Sequence, residues 1–121
     1  YAQSLFKVNR SSWPHWVLVI DMIGDKDLQI FKETHSLKGS GRFLDLIYSI
    51  AEKKKVTSFK PQSKFTIFDD HYPFHKMGIP ATLLIDFDYP YWHTQEDTLD
   101  KCSPESMFSV FKIVTETIRS L

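Results

Sequence analysis

The chain has 121 residues, with fifteen basic and fifteen acidic side chains and a formal net charge of zero. This length fits one domain, residues 1–121, that can bury a modest core. The neutral balance gives no electrostatic footprint for nucleic acid, and no apolar run approaches the ~20 residues that span a bilayer. The single cysteine, Cys102, excludes an internal disulfide and a multi-cysteine zinc cluster.

Hydrophobic patterning predicts strands that alternate with helices. Short β-branched and aromatic runs bounded by turn residues predict four strands, at residues 16–20, 28–31, 65–68 and 81–85. Apolar side chains at helical spacing predict three helices: one from after Gly41 to the lysines at 53–55, one at 73–78, and one from Pro104 to the end. Ser103 is the predicted cap of the last helix. Its predicted core-facing stripe consists of Met107, Phe111, Val114, Ile118 and Leu121.

This order of elements favours an α/β fold with a mostly parallel sheet flanked by helices. In such sheets, ligands bind outside the carboxyl ends of the strands. Asp21, the pair Asp69 and Asp70, and the long loop at 87–101 all follow predicted strands. We therefore expect three separate segments to bring carboxylates and an imidazole to one edge of the sheet.

His93, in the acidic and aromatic loop, is the best candidate for a metal ligand. Zinc prefers imidazole nitrogen and carboxylate oxygen, and nearby loop acids could orient the ring. Those acids are Asp86, Asp88, Glu96 and Asp97. From spacing alone, His93 could equally be a surface histidine. Tyr89, Tyr91 and Trp92 either line a pocket or form the packing core of the loop.

The acidic candidates also have two interpretations each. Asp21 is either a metal ligand or a residue that caps a turn at the end of a strand. Asp69 and Asp70 either share a proton, which raises one pKa, or place one carboxylate inward and one in solvent. His71 is more typical of a hydrogen-bonded structural histidine than of a ligand.

Three motifs resemble one known family in their order and separation. They are Asp21-Met22-Ile23-Gly24, then Asp69-Asp70-His71-Tyr72-Pro73-Phe74 with Gly78-Ile79-Pro80, then Trp92-His93-Thr94 with Asp97-Thr98. Together they are similar to the C-terminal half of the zinc aminopeptidase and glutaminyl cyclase superfamily, over nearly the whole chain. The resemblance implies a zinc-exopeptidase-like fold, also called phosphorylase/hydrolase-like.

The resemblance implies a role for five residues. His93 matches the zinc ligand. Asp21 matches an aspartate that ligates a second zinc in two-metal aminopeptidases and belongs to a hydrogen-bond network in one-zinc cyclases. Asp69 matches the other member of that network. Trp92 and Tyr89 match the aromatic lining of the cyclase substrate pocket.

The Asp-Asp-His segment at 69–71 and Trp92 favour the glutaminyl cyclase branch. By resemblance, zinc would polarise the side-chain carbonyl of an N-terminal glutamine while a glutamate moves a proton to departing ammonia. A zinc aminopeptidase, which would use the metal to activate water against the first peptide bond, is the alternative. Either substrate is the N-terminus of a peptide or protein.

The family's other zinc ligands, a His-x-Asp motif and a Glu-Glu or Glu-Asp pair, are missing upstream of Asp21. We therefore expect the chain alone to be inactive and to bind zinc weakly or not at all, and to need the N-terminal half of the same domain. Exposed apolar surface would then favour self-association. The residues leave the compartment open, and the resemblance to a family with many exported members makes a periplasmic or secreted parent protein one alternative. A binding module that keeps this half of the fold without its chemistry is a third alternative.

Overall fold

The computed structural model describes all residues of the chain, 1–121. Its strands are β1 (Val17–Asp21), β2 (Ile30–Lys32), β3 (Phe59–Ser63) and β4 (Ala81–Ile85). Its helices are α1 (Thr34–Lys53), α2 (Tyr72–Lys76) and α3 (Pro104–Ser120), and short 3-10 turns lie at Ala2–Lys7, Arg10–Ser12 and Leu99–Lys101. None of the helices is long and apolar enough to cross a membrane.

The strands form two parallel pairs. β1 pairs with β4, from Val17 opposite Ala81 to Asp21 opposite Ile85. β2 pairs with β3, with a register shift after Phe31. Every residue of β4 is buried because β1 lies on one side, β2 lies near the other, and α1 covers a face. The predicted α/β fold with parallel strands and flanking helices is confirmed.

α1 begins at Thr34, well before the predicted start after Gly41. The Glu33 carboxylate caps the helix by accepting the backbone N–H groups of His35 at 2.8 Å and Ser36 at 2.7 Å. The Ser40-Gly41 pair marks a kink instead of a start, since Ser40 has a non-helical φ of −143°. Its hydroxyl contacts the Ala81 carbonyl at 2.7 Å, so this kink ties α1 to β4.

The predicted strand at 65–68 is wrong, because the second pair of strands uses Phe59–Ser63. Residues 65–68 bond to the turn before α1 and not to a strand. The Phe65 carbonyl accepts the Thr34 N–H at 2.9 Å, and the Ile67 N–H donates to Glu33 at 3.1 Å. The apolar alternation of this segment reflects the burial of Ile67 beside β4.

α3 begins as predicted, with Pro104 in its first turn and the Ser103 hydroxyl accepting the Ser106 N–H. The predicted core-facing stripe is wrong: Met107, Phe111, Ile118 and Leu121 are exposed, and Val114 is half-buried. The buried face is formed by Val110, Ile113 and Thr117. The helix is apolar on two sides, so periodicity alone selected the wrong one.

Candidate functional site

The end of β1 and the loop after β4 meet as the sequence predicts. Met22, which follows the candidate ligand Asp21, lines a cavity of about 150 Å³ together with Tyr89 and Trp92. Asp97 and Cys102 line the same cavity from the far part of the loop. Two of the three predicted motifs, the Asp21 and the Trp92-His93 segments, therefore lie at one place in the fold.

Both segments contain a backbone conformation that is uncommon for residues other than glycine. Met22 has a φ of 50° and His93 has a φ of 58°. The His93 conformation is set by a turn, because both the N–H and the hydroxyl of Thr94 donate to the Tyr91 carbonyl, at 3.0 and 2.7 Å. Such strained positions cluster at functional sites.

His93 itself is exposed and makes no hydrogen bond or ion pair. Its ring lies against the Trp92 indole, with centroids 4.2 Å apart, and Trp92 in turn contacts Phe87 at 5.6 Å. The imidazole nitrogens are thus available, but no carboxylate of the chain orients them. This differs from the expectation that a nearby acid of the loop would hold the ring.

The acids of the loop have other partners. Tyr89 donates its hydroxyl to Asp97 at 2.7 Å, and this bond raises the pKa of Tyr89. Asp88 forms an ion pair with Lys64 at 2.7 Å, which fixes the start of the loop. Asp86 is buried, and its two oxygens accept the backbone N–H groups of Gln29 at 2.9 Å and Asp88 at 3.2 Å.

Asp21 is exposed at the end of β1, and its carboxylate accepts the Met22 N–H at 2.8 Å. Asp69 is half-buried and accepts the Asp70 N–H at 2.6 Å, while Asp70 is exposed. No hydrogen bond joins Asp21 to Asp69. Each carboxylate accepts a hydrogen bond only from the next backbone N–H, so the predicted network is not assembled within the chain.

The candidate ligands do not complete a zinc site. The structure contains no group of three or more histidine, cysteine, aspartate or glutamate side chains positioned to hold a metal ion. Catalytic zinc normally takes three protein ligands and a water. His93 and Asp21 would therefore need further ligands from outside these residues.

A buried carboxylate that the sequence did not single out lies at the start of α1. Glu33 is 1% exposed and accepts hydrogen bonds from His35, Ser36, Ile67 and His71. Burial raises the pKa of this carboxyl, but the hydrogen bonds lower it more and hold the pKa at about 2. Its place directly before a helix, where Ser, Thr, Asp or Asn is usual, gave no signal of this role.

His71 is the structural histidine that the sequence predicted. It is fully buried, and its Nε2 lies 3.1 Å from the Glu33 carboxylate. His35 and His75 pack near it, with ring centroids 6.3 and 5.4 Å from that of His71. Burial lowers the pKa of His75, and the neighbouring His71 lowers it further. This histidine group holds α2 against the start of α1.

Comparison with known families decides the relationship. The model of peptidase family M28 matches residues 3–118. The chain belongs to peptidase family M28. The search of curated protein sequences found no match to this chain.

Solved structures agree with this assignment. The M28 chain is similar to a glutaminyl cyclase from Fimbriiglobus ruber, with 27% identity and a TM-score of 0.89, over 97% of this chain and 41% of the other. It is similar to a Zn-dependent exopeptidase from Parabacteroides distasonis, with 26% identity and a TM-score of 0.79, over 95% and 44% of the two chains. A Tannerella forsythia glutaminyl cyclase matches at 24% identity and a TM-score of 0.82, over 97% and 44%.

The chain therefore spans less than half the length of these relatives. The family match and the similar solved structures confirm the superfamily and the zinc-exopeptidase-like fold that the motifs indicated. The match to peptidase family M28 and the similarity to a Zn-dependent exopeptidase suggest zinc as the metal.

Proposed function

We propose that this chain is the C-terminal portion of a zinc-dependent glutaminyl-peptide cyclotransferase-like enzyme, which cyclises N-terminal glutamine to pyroglutamate. The observation that carries the proposal is the cavity lined by Tyr89 and Trp92 beside His93. Aromatic faces suit the apolar stem of a glutamine side chain. The 27% identity to a glutaminyl cyclase supports the glutaminyl cyclase branch of the superfamily.

In this proposal each segment has one task. Tyr89 and Trp92 hold the N-terminal residue of the substrate. His93 supplies one zinc ligand, and Asp21 and Asp69 either orient the reacting groups or, in the case of Asp21, bind metal. When bound, zinc would supply Lewis-acid activation of a carbonyl. Because the chain lacks the other ligands, we propose that it is inactive in isolation.

The partner in this proposal is the N-terminal half of the same M28 domain. β1 pairs only with β4, so its other edge offers unpaired backbone groups. Ile20 on that strand is 41% exposed. An adjoining strand from the other half would cover this edge and bring the missing ligands to the end of β1.

A zinc aminopeptidase is the second candidate function. It is favoured by the similarity to the Parabacteroides distasonis exopeptidase, whose 26% identity is nearly that of the cyclase. The two reactions differ in product, because a cyclase releases ammonia and an aminopeptidase releases the free amino acid.

A chimera would test the proposal. Residues 1–121 would replace the aligned segment of the Fimbriiglobus ruber cyclase, and the zinc-loaded protein would be incubated with a peptide that begins with glutamine. We expect ammonia release and a peptide lighter by one ammonia. His93→Ala should abolish turnover, whereas His15→Ala, at an exposed histidine elsewhere, should not.

Free glutamine as the main product would favour the aminopeptidase instead. A cooperatively folded, zinc-loaded chimera that forms neither product would overturn both candidates. Turnover by the isolated chain would contradict the proposal that it needs the other half.

A further inference from the structure

A second groove lies apart from the aromatic cavity, between the end of α1, the start of β3 and the start of α3. It has a volume of about 510 Å³ and is lined by Lys26, Lys55 and Lys60. None of these lysines forms an ion pair in the structure, although five other basic residues and His71 do. Three lysines without an ion-pair partner therefore line one concave surface.

Lys55 occupies a backbone position that normally belongs to glycine. It follows the C-cap of α1, and its N–H donates to the Glu52 carbonyl while the next N–H, of Val56, reaches back to Ala51, both at 2.9 Å. This is the Schellman pattern, whose left-handed residue is usually glycine. Lys55 adopts it with a φ of 57°. A lysine thus stands at a position whose backbone conformation favours glycine.

The groove also offers hydroxyl donors. Ser58 lines it, and its side-chain oxygen has no hydrogen-bond partner in the structure. Thr57 lines the groove beside it. Rotation about χ1 can turn such a hydroxyl toward an acceptor in the groove.

Two carboxylates also line the groove, and both are already bonded. Asp27 accepts the Gln29 side-chain amide at 3.4 Å, and Glu105 accepts the Ser103 hydroxyl at 2.9 Å. The hydrogen bonds that Glu105 accepts lower its pKa, so it stays charged at neutral pH. The lining therefore has three cations against two anions, and the anions reduce its affinity for a negative ligand.

We propose that this groove binds a phosphate group, either inorganic phosphate or a phosphate ester. Lysine ammonium groups and hydroxyls are suitable donors to a tetrahedral oxyanion. The groove shares no lining residue with the Tyr89–Trp92 cavity, so the site is separate from the proposed cyclase chemistry. Binding here does not depend on whether the parent is a cyclase.

The test is a titration of the chain with inorganic phosphate, followed by amide chemical shifts at constant ionic strength. We expect shifts at Lys55, Thr57 and Ser58 that saturate. Lys60→Gln should weaken binding about threefold, in the range of one exposed charge pair. Lys38→Gln, an exposed lysine on α1 outside the groove, should leave it unchanged. Glu105→Gln should tighten it, since one repelling charge is removed.

Lys55→Gly separates binding from folding. Because glycine suits the left-handed position, this variant should melt at the same temperature or higher and still bind phosphate more weakly. Lys55→Arg should restore the affinity. A parallel titration with phosphoserine distinguishes the sources, since tighter binding than inorganic phosphate assigns the site to an ester.

Absence of saturable shifts with both ligands would overturn the proposal. So would an equal loss of affinity in Lys38→Gln and Lys60→Gln, because binding would then follow net charge and not the groove.

Discussion

Asp86 and Glu33 show how the number of hydrogen bonds decides the charge of a buried carboxyl. Both side chains are 1% exposed. Glu33 accepts several hydrogen bonds and its pKa falls to about 2, whereas burial raises the pKa of Asp86 to about 6 despite the N–H groups of Gln29 and Asp88. Asp86 is thus a buried carboxyl that titrates well above the usual range of aspartate.

The contribution of Asp86 to the stability of the chain should fall as pH rises through its titration. A pKa raised from 3.8 to about 6 means that the folded state holds this proton more tightly, so the stabilisation is complete below 3.8 and is lost above about 6. Between pH 4.5 and 7 the loss should reach about 2 kcal/mol. Urea unfolding of the chain and of Asp86→Asn across this range measures it. Glu33 contributes little there because its pKa lies far below, whereas His75, whose pKa is lowered by burial, gains stability as pH rises and opposes the loss.

Asp86→Asn is the control for this prediction. The variant cannot ionise, so its free energy of unfolding should change less over the same pH range than that of the original chain. Equal slopes would show that another group, such as an exposed histidine, causes the pH dependence.

At the scale of elements, α2 approaches α1 closely at Gly39, beside the kink. A Cβ at this position would collide with the Nδ1 of His75 on α2, whereas a Cβ on Gly41 would meet nothing within 4 Å. The two glycines lie one residue either side of Ser40, where the helix departs from helical geometry. Substitutions at Gly39 and Gly41 can therefore be compared as test and control.

Gly39→Ala should destabilise the chain by about 1–3 kcal/mol, because the His75 ring must move out of its packed position. Gly41→Ala should stabilise it by about 0.5–1 kcal/mol, since alanine is the better helix former and has room. Chemical denaturation of the two variants compares them directly. Equal effects would mean that α2 does not pack on the kink as described.

β1 and β4 could be predicted from sequence, whereas the strand predicted at 65–68 and the predicted buried face of α3 were wrong. β4 is fully buried and has the predicted bounds, whereas β1 is half-buried to exposed and lies one residue after its predicted bounds. The segment at 65–68 is also rich in apolar residues, but its Ile67 N–H donates to Glu33 and not to a strand. α3 is apolar on two faces, and only the packing of Ile113 against the core shows which one is inside.

On the scale of the whole molecule, two surfaces lack a protein partner. One is the free edge of β1, and the other is the outer face of α3, where Phe108 is 65% and Phe111 is 63% exposed. Phe108 and Phe111 lie with ring centroids 6.3 Å apart, so they form one patch. Such a patch on an isolated chain favours association.

Phe111→Gln should reduce self-association of the chain while changing its free energy of unfolding by less than about 0.5 kcal/mol, because the ring is mostly in solvent. Sedimentation velocity over a concentration series measures this. Lys112→Gln, the neighbouring exposed residue, should leave association unchanged. A concentration-independent monomer in the original chain would contradict the prediction.

The positions of the site segments could be predicted, but the assembled site could not. The cavity brings Met22, Tyr89 and Trp92 together as the motifs indicated. The partners of Asp21, Asp69 and His93 could not be inferred, because local backbone groups satisfy the two carboxylates and the imidazole is exposed. In a chain that spans 41% of a similar cyclase, those partners are expected on the other half.

Anomalous X-ray diffraction at the zinc edge, from crystals of the zinc-loaded chimera, tests the central claim most directly. We predict a zinc ion about 2.1 Å from a ring nitrogen of His93, at the end of β1. A fully coordinated zinc with the His93 ring still turned to solvent would contradict it.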